Sequence, residues 1–347
     1  MKKISKPFLN MPNIPKDFNW ITYIELNPDI TSNAHFLSED GAIRHWEKFG
    51  SKEGRQYKRV SSDNFKSIGY IKLSNLKKPN PISHGFFSNY FTVLSMIIDS
   101  DNQYLRPYVN LDNTSFIENY NPYTDNLPKN PVNTWNWWFE QEPINDTDNI
   151  VNIKFSTTNI SHSEKMWGRK NLKYIKEFND KYIKIKPHIL KKINDYYAEN
   201  FKDKIVLGVM ARGSEMAHWH PEYGNQTIHT WIESTKNVLI KYPEINVIFL
   251  VTEDSNYIPI YLNEFPNTIY LENIFRRTTE SDEYVRKYPM WPNIANPRKN
   301  HNKLLGEECL IQAKLLGMCD YLLVKHCGTS SAAILFATDN LKDVIYT

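Results

Sequence analysis

Ile205-Val206-Leu207-Gly208-Val209-Met210-Ala211, running into Arg212-Gly213-Ser214-Glu215, is the stretch that sets the architecture. Seven uncharged, mostly apolar residues in a row read as a strand buried on both faces, the signature of a parallel strand between helices. The pattern returns at Asn246–Thr252, more briefly at Thr268–Leu271, and at Tyr321–Val324, with a last strand at Asp343–Tyr346. Helical spacing fills the gaps. Ile228, Trp231, Ile232, Val238 and Leu239 mark a helix that ends before Pro243, and further helices are predicted at Leu305–Gly317 and Ser330–Ala337. Strands alternating with helices predict an α/β, doubly wound parallel sheet over residues 197–347.

Toward the N-terminus, residues 62–196 carry a strand-like run at Ile68–Leu73. The loop Pro81-Ile82-Ser83-His84-Gly85-Phe86-Phe87 then feeds a helix at Ser88–Ser100, followed by a strand at Leu105–Leu111. Ile175, Phe178, Tyr182, Ile185, Ile189, Ile193 and Tyr197 recur at helical spacing and predict two closing helices, with Pro187 suited to the first turn of the second. Residues 1–61 read as a small helical module and linker. Phe18, Ile21, Tyr23, Ile24 and Leu26 load one helix that stops near Asn27-Pro28; Ala42, Ile43, Trp46 and Phe49 load another, with Gly50 expected to cap it. So few apolar residues bury little, so the module is expected to lean on the main body.

Composition bounds the function. The chain has 347 residues, enough to bury roughly three quarters of its unfolded surface. It is 41% hydrophobic and 23% charged, with 42 basic against 39 acidic residues, a balance that argues against a dedicated nucleic-acid binder. Cys309, Cys319 and Cys327 are too few for a disulfide framework and are expected to be reduced. Neither a leader-like apolar run at the start nor a span of about 20 apolar residues is evident, so a soluble, cytoplasmic chain is expected.

In a doubly wound sheet, ligands sit beyond the carboxyl ends of the strands. The loops there hold Arg212-Gly213-Ser214-Glu215-Met216-Ala217-His218-Trp219-His220, then Glu253-Asp254, then Lys325-His326-Cys327-Gly328-Thr329-Ser330-Ser331 at the start of a helix. A guanidinium fork, a hydroxyl-rich turn with free backbone N–H groups and a pair of carboxylates suit a nucleoside diphosphate. The same residues also allow plainer roles: Arg212 paired with Glu253, or Thr329 or Ser330 acting only as a helix cap. The common phosphate-loop, dinucleotide and zinc-protease signatures are absent.

Gly208-Val209-Met210-Ala211-Arg212-Gly213-Ser214-Glu215 resembles the H-x-R-G-x-D motif of the fucosyltransferases that include the core α1,6-, nodulation and protein O-fucosyltransferases. His84-Gly85-Phe86-Phe87-Ser88-Asn89 resembles their first donor-facing loop, and Asn133-Thr134-Trp135-Asn136-Trp137-Trp138-Phe139-Glu140 the N-x-W-E-Y-Y-F-E segment of bacterial and viral relatives. Gly306–Ile311, Cys319–Leu323 and the Thr329-Ser330-Ser331 turn resemble their last motifs, and the likeness runs over residues 65–347. Residues 17–58, with Asn27-Pro28-Asp29 and Glu53-Gly54-Arg55, resemble a short module appended to bacterial and viral glycosyltransferases.

The resemblance implies a GT-B fold of two Rossmann-like domains, an acceptor-side one at 62–196 and a nucleotide-sugar-binding one at 197–347. It implies inverting, metal-independent transfer of fucose from GDP-fucose to a glycan hydroxyl, with no cofactor. Arg212 would stabilise the departing diphosphate, and Glu215 or His220 would act as base. Gly85, Met210, Arg212, Glu253, Asp254, Gln312, Gly328, Thr329, Ser330 and Ser331 would hold the donor, and His84, Asn89 and Trp137 face the acceptor. Met210 stands where the family usually has His, Glu215 where it has Asp, Glu253-Asp254 where Asp-Asp is common, and Gln312 where an Asp often recognises the base. Another nucleotide-sugar donor is therefore an alternative, as is a non-catalytic binding relative or a scaffold docking through residues 17–58 and the aromatics of Trp135–Phe139, expected to be exposed.

Overall fold

The computed structural model describes residues 14–15, 18, 20–27, 29–30, 34–36, 38–57, 65, 67–72, 86–111, 133–153, 168–212, 227–276 and 300–347. Five parallel strands form the larger sheet: β6 (Val206–Met210), β7 (Val247–Val251), β8 (Thr268–Ile269), β9 (Tyr321–Val324) and β10 (Asp343–Tyr346), in the order β10-β9-β6-β7-β8. Every residue of β6, β7 and β9 is buried. Alternate side chains feed two cores. Val206, Met210, Val247, Phe249 and Val251 face one, with α5 (Pro187–Asn200) and α8 (His301–Leu316). Leu207, Val209, Ile248 and Leu250 face the other, with α6 (Ile228–Lys241) and α7 (Tyr257–Glu264). The apolar runs thus follow from helices on both sides.

A smaller parallel sheet has the order β2-β1-β4, from β1 (Ser67–Ile71), β2 (Arg106–Val109) and β4 (Asn149–Ile153). Helix α3 (Phe86–Asn102) is buried on nearly every side because it lies between this sheet and the second unit. Its partner there is α9 (Gly328–Leu335): Phe87 and Tyr90 of α3 both meet Phe336 edge-on, at ring separations of 6.3 and 5.9 Å. One core therefore runs through both units, reaching from Ile71, Val109 and Ile153 to Met210 and Val324. Two Rossmann-like units packed in this way give the expected α/β, GT-B architecture.

Several local expectations are corrected. Ile185 belongs not to a helix but to β5 (Lys184–Ile185), which pairs antiparallel with β3 (Phe139–Glu140) between α4 (Gly168–Tyr182) and α5. Strands β3 and β4 and helix α7 had no counterpart in the periodicity. Trp135, Trp138 and Phe139 are 4, 3 and 1% exposed, so three of the segment's four aromatics are core and Trp137 alone of the four is part-exposed. Its buried Trp138 donates Nε1–H to the Lys303 carbonyl at 3.0 Å and lies flat against Gly306, tying the first unit to α8.

The N-terminal module has its own core of Tyr23, Ile24, Ile30, Ala42 and Trp46, and it touches the main body where the Tyr104 hydroxyl donates to the Gln56 side-chain carbonyl. Helix α1 (Trp20–Leu26) stops where Pro28 requires, and α2 (Glu39–His45) is capped by Ser38 and runs into a π-turn at Trp46–Gly50. Gly50 is no left-handed cap; that conformation belongs to Gly54, at φ 65°, while Gly50 makes room for the Tyr23 hydroxyl. The motif residues form a clasp. Asn27 donates to the Tyr23 and Gln56 carbonyls at 2.7 and 2.8 Å, and one arm of Arg55 meets both Asp29 carboxylate oxygens at 2.8 and 2.7 Å.

Tyr23, whose hydroxyl burial pushes up to about 12, stays protonated and bonds His45 Nδ1 at 2.8 Å. Burial holds the His45 pKa below its ordinary value. The unfolded chain therefore takes up this proton first on acidification: the module keeps its full stability above about pH 6.5 and loses it as the pH falls through the folded value. Melting temperatures at pH 7 and pH 5 should differ more for wild type than for His45→Gln; an equal difference would contradict this.

Candidate active site at two sheet edges

The order β10-β9-β6-β7-β8 reverses direction between β6 and β9, and this switch point is where a doubly wound sheet leaves a crevice. Arg212 leaves β6 there. The β6–β7 register pairs Met210 with Val251, and the ladder continues through Ala211 N–H donating to the Val251 carbonyl at 2.9 Å. Two residues further on, Arg212 and Glu253 come level and on the same face, with Arg212 Nε 3.6 Å from Glu253 Oε1. Pairing of these side chains is thus a consequence of register. Both are about one-fifth to one-quarter exposed, so the pair opens on the crevice.

From β9 the chain turns through Lys325-His326-Cys327 into α9. Cys327 is the N-cap, which corrects the assignment of that role to Thr329 or Ser330. Ser330 sits at the third helical position and closes a capping box. Its hydroxyl donates to the Lys325 carbonyl at 2.6 Å and accepts from Cys327 N–H at 3.0 Å. Ser330 and Ser331 are fully buried beneath the turn, whereas Gly328 and Thr329 are part-exposed at its rim. Gly328 lies so close to Phe87 that a Cβ would stand 3.1 Å from the Phe87 Cβ, and 3.8 Å from Ser88 N. The N-termini of α9 and α3 therefore meet, each leaving the carboxyl edge of its own sheet. The start of α9, with the N–H groups of Gly328 and Thr329 at its rim, and one guanidinium at this point favour an anion.

Ser330→Ala should cost about 1–3 kcal/mol by removing the box and leaving the Cys327 N–H unanswered. A melting temperature unchanged from wild type would contradict the capping role.

The other predicted residues fall as follows. Met210 is 6% exposed and packs in the core among apolar side chains. Asp254 is buried, and its Oδ1 accepts from Asn256 N–H at 2.9 Å, capping the turn before α7. Gln312 is half-buried on α8 with its amide donating to the Glu308 carbonyl at 3.1 Å. Asn89 is half-buried in the first turn of α3, beside the helix meeting point. Trp137 ends a 3₁₀ turn and stands edge-on to Trp138, with rings 5.5 Å apart. His84, Gly85, Glu215 and His220 lie outside the described residues.

Residues beyond the predicted set also line this edge. Lys325, 8% exposed, comes directly after β9, and burial lowers its pKa. Cys309 on α8 lies within electrostatic range of Arg212 and Glu253, and burial, with Glu308 adding to it, pushes its thiol up to about 12, so it stays protonated. Position immediately after a buried strand was the available signal for Lys325; nothing in the sequence marked Cys309. The three cysteines are free. Two Asp-x-Asp triplets, Asp99-Ser100-Asp101 and Asp146-Thr147-Asp148, occur in the chain, so the sequence lends metal independence no support of its own. Both lie at the far edge of the small sheet, one at the end of α3 and one before β4, where Lys181 and Tyr182 engage Asp101. Among the described residues no helix is long and apolar enough to cross a membrane, and no group of three or more His, Cys, Asp or Glu is placed to hold a metal ion.

No family model matches the chain, and no curated protein matches it. Solved structures similar to it are fucosyltransferases. NodZ α-1,6-fucosyltransferase co-crystallised with GDP is 12% identical with TM-score 0.47, over 78% of this chain and 93% of that one. Fucosyltransferase NodZ from Bradyrhizobium is 14% identical with TM-score 0.45, over 78% and 92%. POFUT1 in complex with GDP-fucose is 8% identical with TM-score 0.39, over 82% and 98%. At these identities and scores the likeness assigns no activity and no residue role to this chain.

Proposed function

We propose that the chain is a glycosyltransferase that holds a nucleotide sugar at the β6–β9 switch point and passes the sugar to a glycan hydroxyl, with GDP-fucose as donor. The observation that carries this is the convergence of Arg212, held by Glu253, with the N-termini of α3 and α9. The motif resemblance around Arg212 supports the donor. In this reading, residues 1–61 form a helical module, 62–196 the acceptor side and 197–347 the donor side, in a reducing, cytoplasmic setting that suits three free thiols.

The reaction is an inverting displacement without a metal ion. The acceptor oxygen attacks the anomeric carbon as the bond to the β-phosphate oxygen breaks, and the electron pair leaves with the diphosphate. Negative charge grows on that leaving group, where Arg212 and the backbone N–H groups of Gly328 and Thr329 stabilise it. Ser330 and Ser331 hold the turn in place from below. Glu215 or His220 takes the acceptor proton. Asn89 and Trp137, with His84, face the acceptor.

A second reading keeps the fold and the chemistry but changes the base of the donor. Its support is that Met210 packs in the core and offers guanine no polar contact, and that Gln312, which stands in place of an acid, engages one amide N–H within its own helix. The deciding assay incubates the protein with GDP-fucose, UDP-, ADP- and CMP-sugars and a mixture of glycan acceptors, and measures nucleotide release. GDP release alone supports the first reading, and UDP release alone the second. Nucleotide binding without any release would make the protein a non-catalytic relative.

A further inference from the structure

Arg276 lies on the segment that follows β8, at the same carboxyl edge as Arg212. Its guanidinium sits over the Tyr270 ring, 5.3 Å from the centroid, and its terminal nitrogens donate to the Leu271 carbonyl and, at 3.5 Å, to that of Glu272. Its Nε is buried and has no hydrogen-bond partner. Glu308 is the nearby acid whose charge it feels, but Glu308 Oε2 accepts from Phe275 N–H at 3.2 Å, and no ion pair to Arg276 forms among the described residues.

This is an awkward state for an arginine. A partly buried cation with no ion-pair contact is unfavourable, and burial lowers its affinity for the proton. Stacking on Tyr270 and two carbonyl bonds nevertheless hold it in one orientation. Of five N–H donors, two are engaged and Nε–H is buried, which leaves two terminal N–H groups for a ligand. Location narrows the ligand. Strand β8 lies two strands from β6, about 10 Å across the sheet. With a diphosphate at Arg212 and the α9 start, a nucleoside running along the edge under β7 brings its base to Arg276.

We infer that Arg276 is a specificity-determining residue that reads the base of the bound nucleotide, its two remaining terminal N–H groups addressing the paired acceptors O6 and N7 of guanine. Adenine presents a donor in place of O6 and is disfavoured by the same fork. The inference rests on the nucleotide site proposed above, and it supplies a guanine contact that Met210 does not.

The test is calorimetric titration of the full chain with GDP, IDP, ADP and 7-deaza-GDP, repeated with Arg276→Lys. IDP, which keeps O6 and N7, should bind nearly as GDP does. 7-deaza-GDP and ADP should each bind about tenfold or more weakly, the discrimination of a bidentate arginine–guanine contact. Arg276→Lys should keep its melting temperature within a degree or two and lose most of the GDP-over-ADP preference. Equal binding of GDP and 7-deaza-GDP by wild type, or an undiminished GDP preference in Arg276→Lys, would overturn this assignment while leaving the nucleotide site intact. No binding of any nucleotide by wild type would overturn both.

Discussion

Arg212→Ala should lower donor turnover by about 10²- to 10³-fold, the usual effect of removing one preorganised donor from a developing negative charge. Its position explains why. Arg212 is the second residue beyond the buried strand β6, at the switch point of the sheet, and the β6–β7 register brings Glu253 level with it to hold its Nε. Arg212→Lys keeps the charge but not the planar fork, so its rate should fall between wild type and the alanine variant. Thermal melts of both variants separate a lost contact from a lost fold. A full rate in Arg212→Ala would contradict its role at the leaving group.

Trp138→Ala should destabilise the chain by about 3–5 kcal/mol, the range for a buried aromatic truncated in a core. That corresponds to a fall in melting temperature on the order of 5–10 °C. Trp138 is 3% exposed, stacks edge-on with Phe86 at 5.1 Å, lies against Gly306 and bonds the Lys303 carbonyl. It therefore packs the start of α3 and the start of α8 against each other, and its loss loosens both walls of the crevice. Trp138→Phe retains most of the packing and loses only the indole N–H bond, so it should cost markedly less. Equal melting temperatures for wild type and Trp138→Ala would show that the two units do not depend on this contact.

The larger sheet was legible because its strands are buried on both faces: Val206–Met210, Val247–Val251 and Tyr321–Val324 stand out as apolar runs with no need of alternation. The small sheet was not. In β4, Asn149, Ile150, Val151 and Asn152 are exposed and only Ile153 is buried, so the strand carries neither a run nor a clean period of two. Two-residue strands such as β5 are shorter than any periodicity can register, which is why Ile185 was absorbed into a helical pattern. In helix α7, Pro259 and paired tyrosines obscure the spacing of three and four.

The site divides in the same way. Arg212 and Glu253 could be found because a parallel register makes strand-end residues neighbours, so that counting from the runs brings them together. The start of α9 was found, but its cap was misassigned: a cysteine is a weak N-cap by type, and only the bonds between Ser330 and the Lys325 and Cys327 backbones show that the turn begins one residue before Gly328. Arg276 was invisible, since its significance comes from a buried Nε without a partner and from a sheet order that places β8 two strands away from the switch point. In the N-terminal module, Asn27, Asp29 and Arg55 were noticed as a pattern, and the structure gives the reason: they clasp the two ends of a segment whose core is only a few aromatic and aliphatic side chains.

The central claim is that a nucleoside diphosphate binds where β6, α9 and α3 converge. Thermal-shift comparison of GDP, UDP, ADP and CMP at equal concentration, with Arg212→Ala alongside, tests it most directly. A ligand at about 100 times its dissociation constant adds roughly 2.7 kcal/mol, which raises the melting temperature by a few degrees. GDP should produce that rise in wild type and not in Arg212→Ala. No rise with any nucleotide, or an equal rise in the variant, would contradict the account.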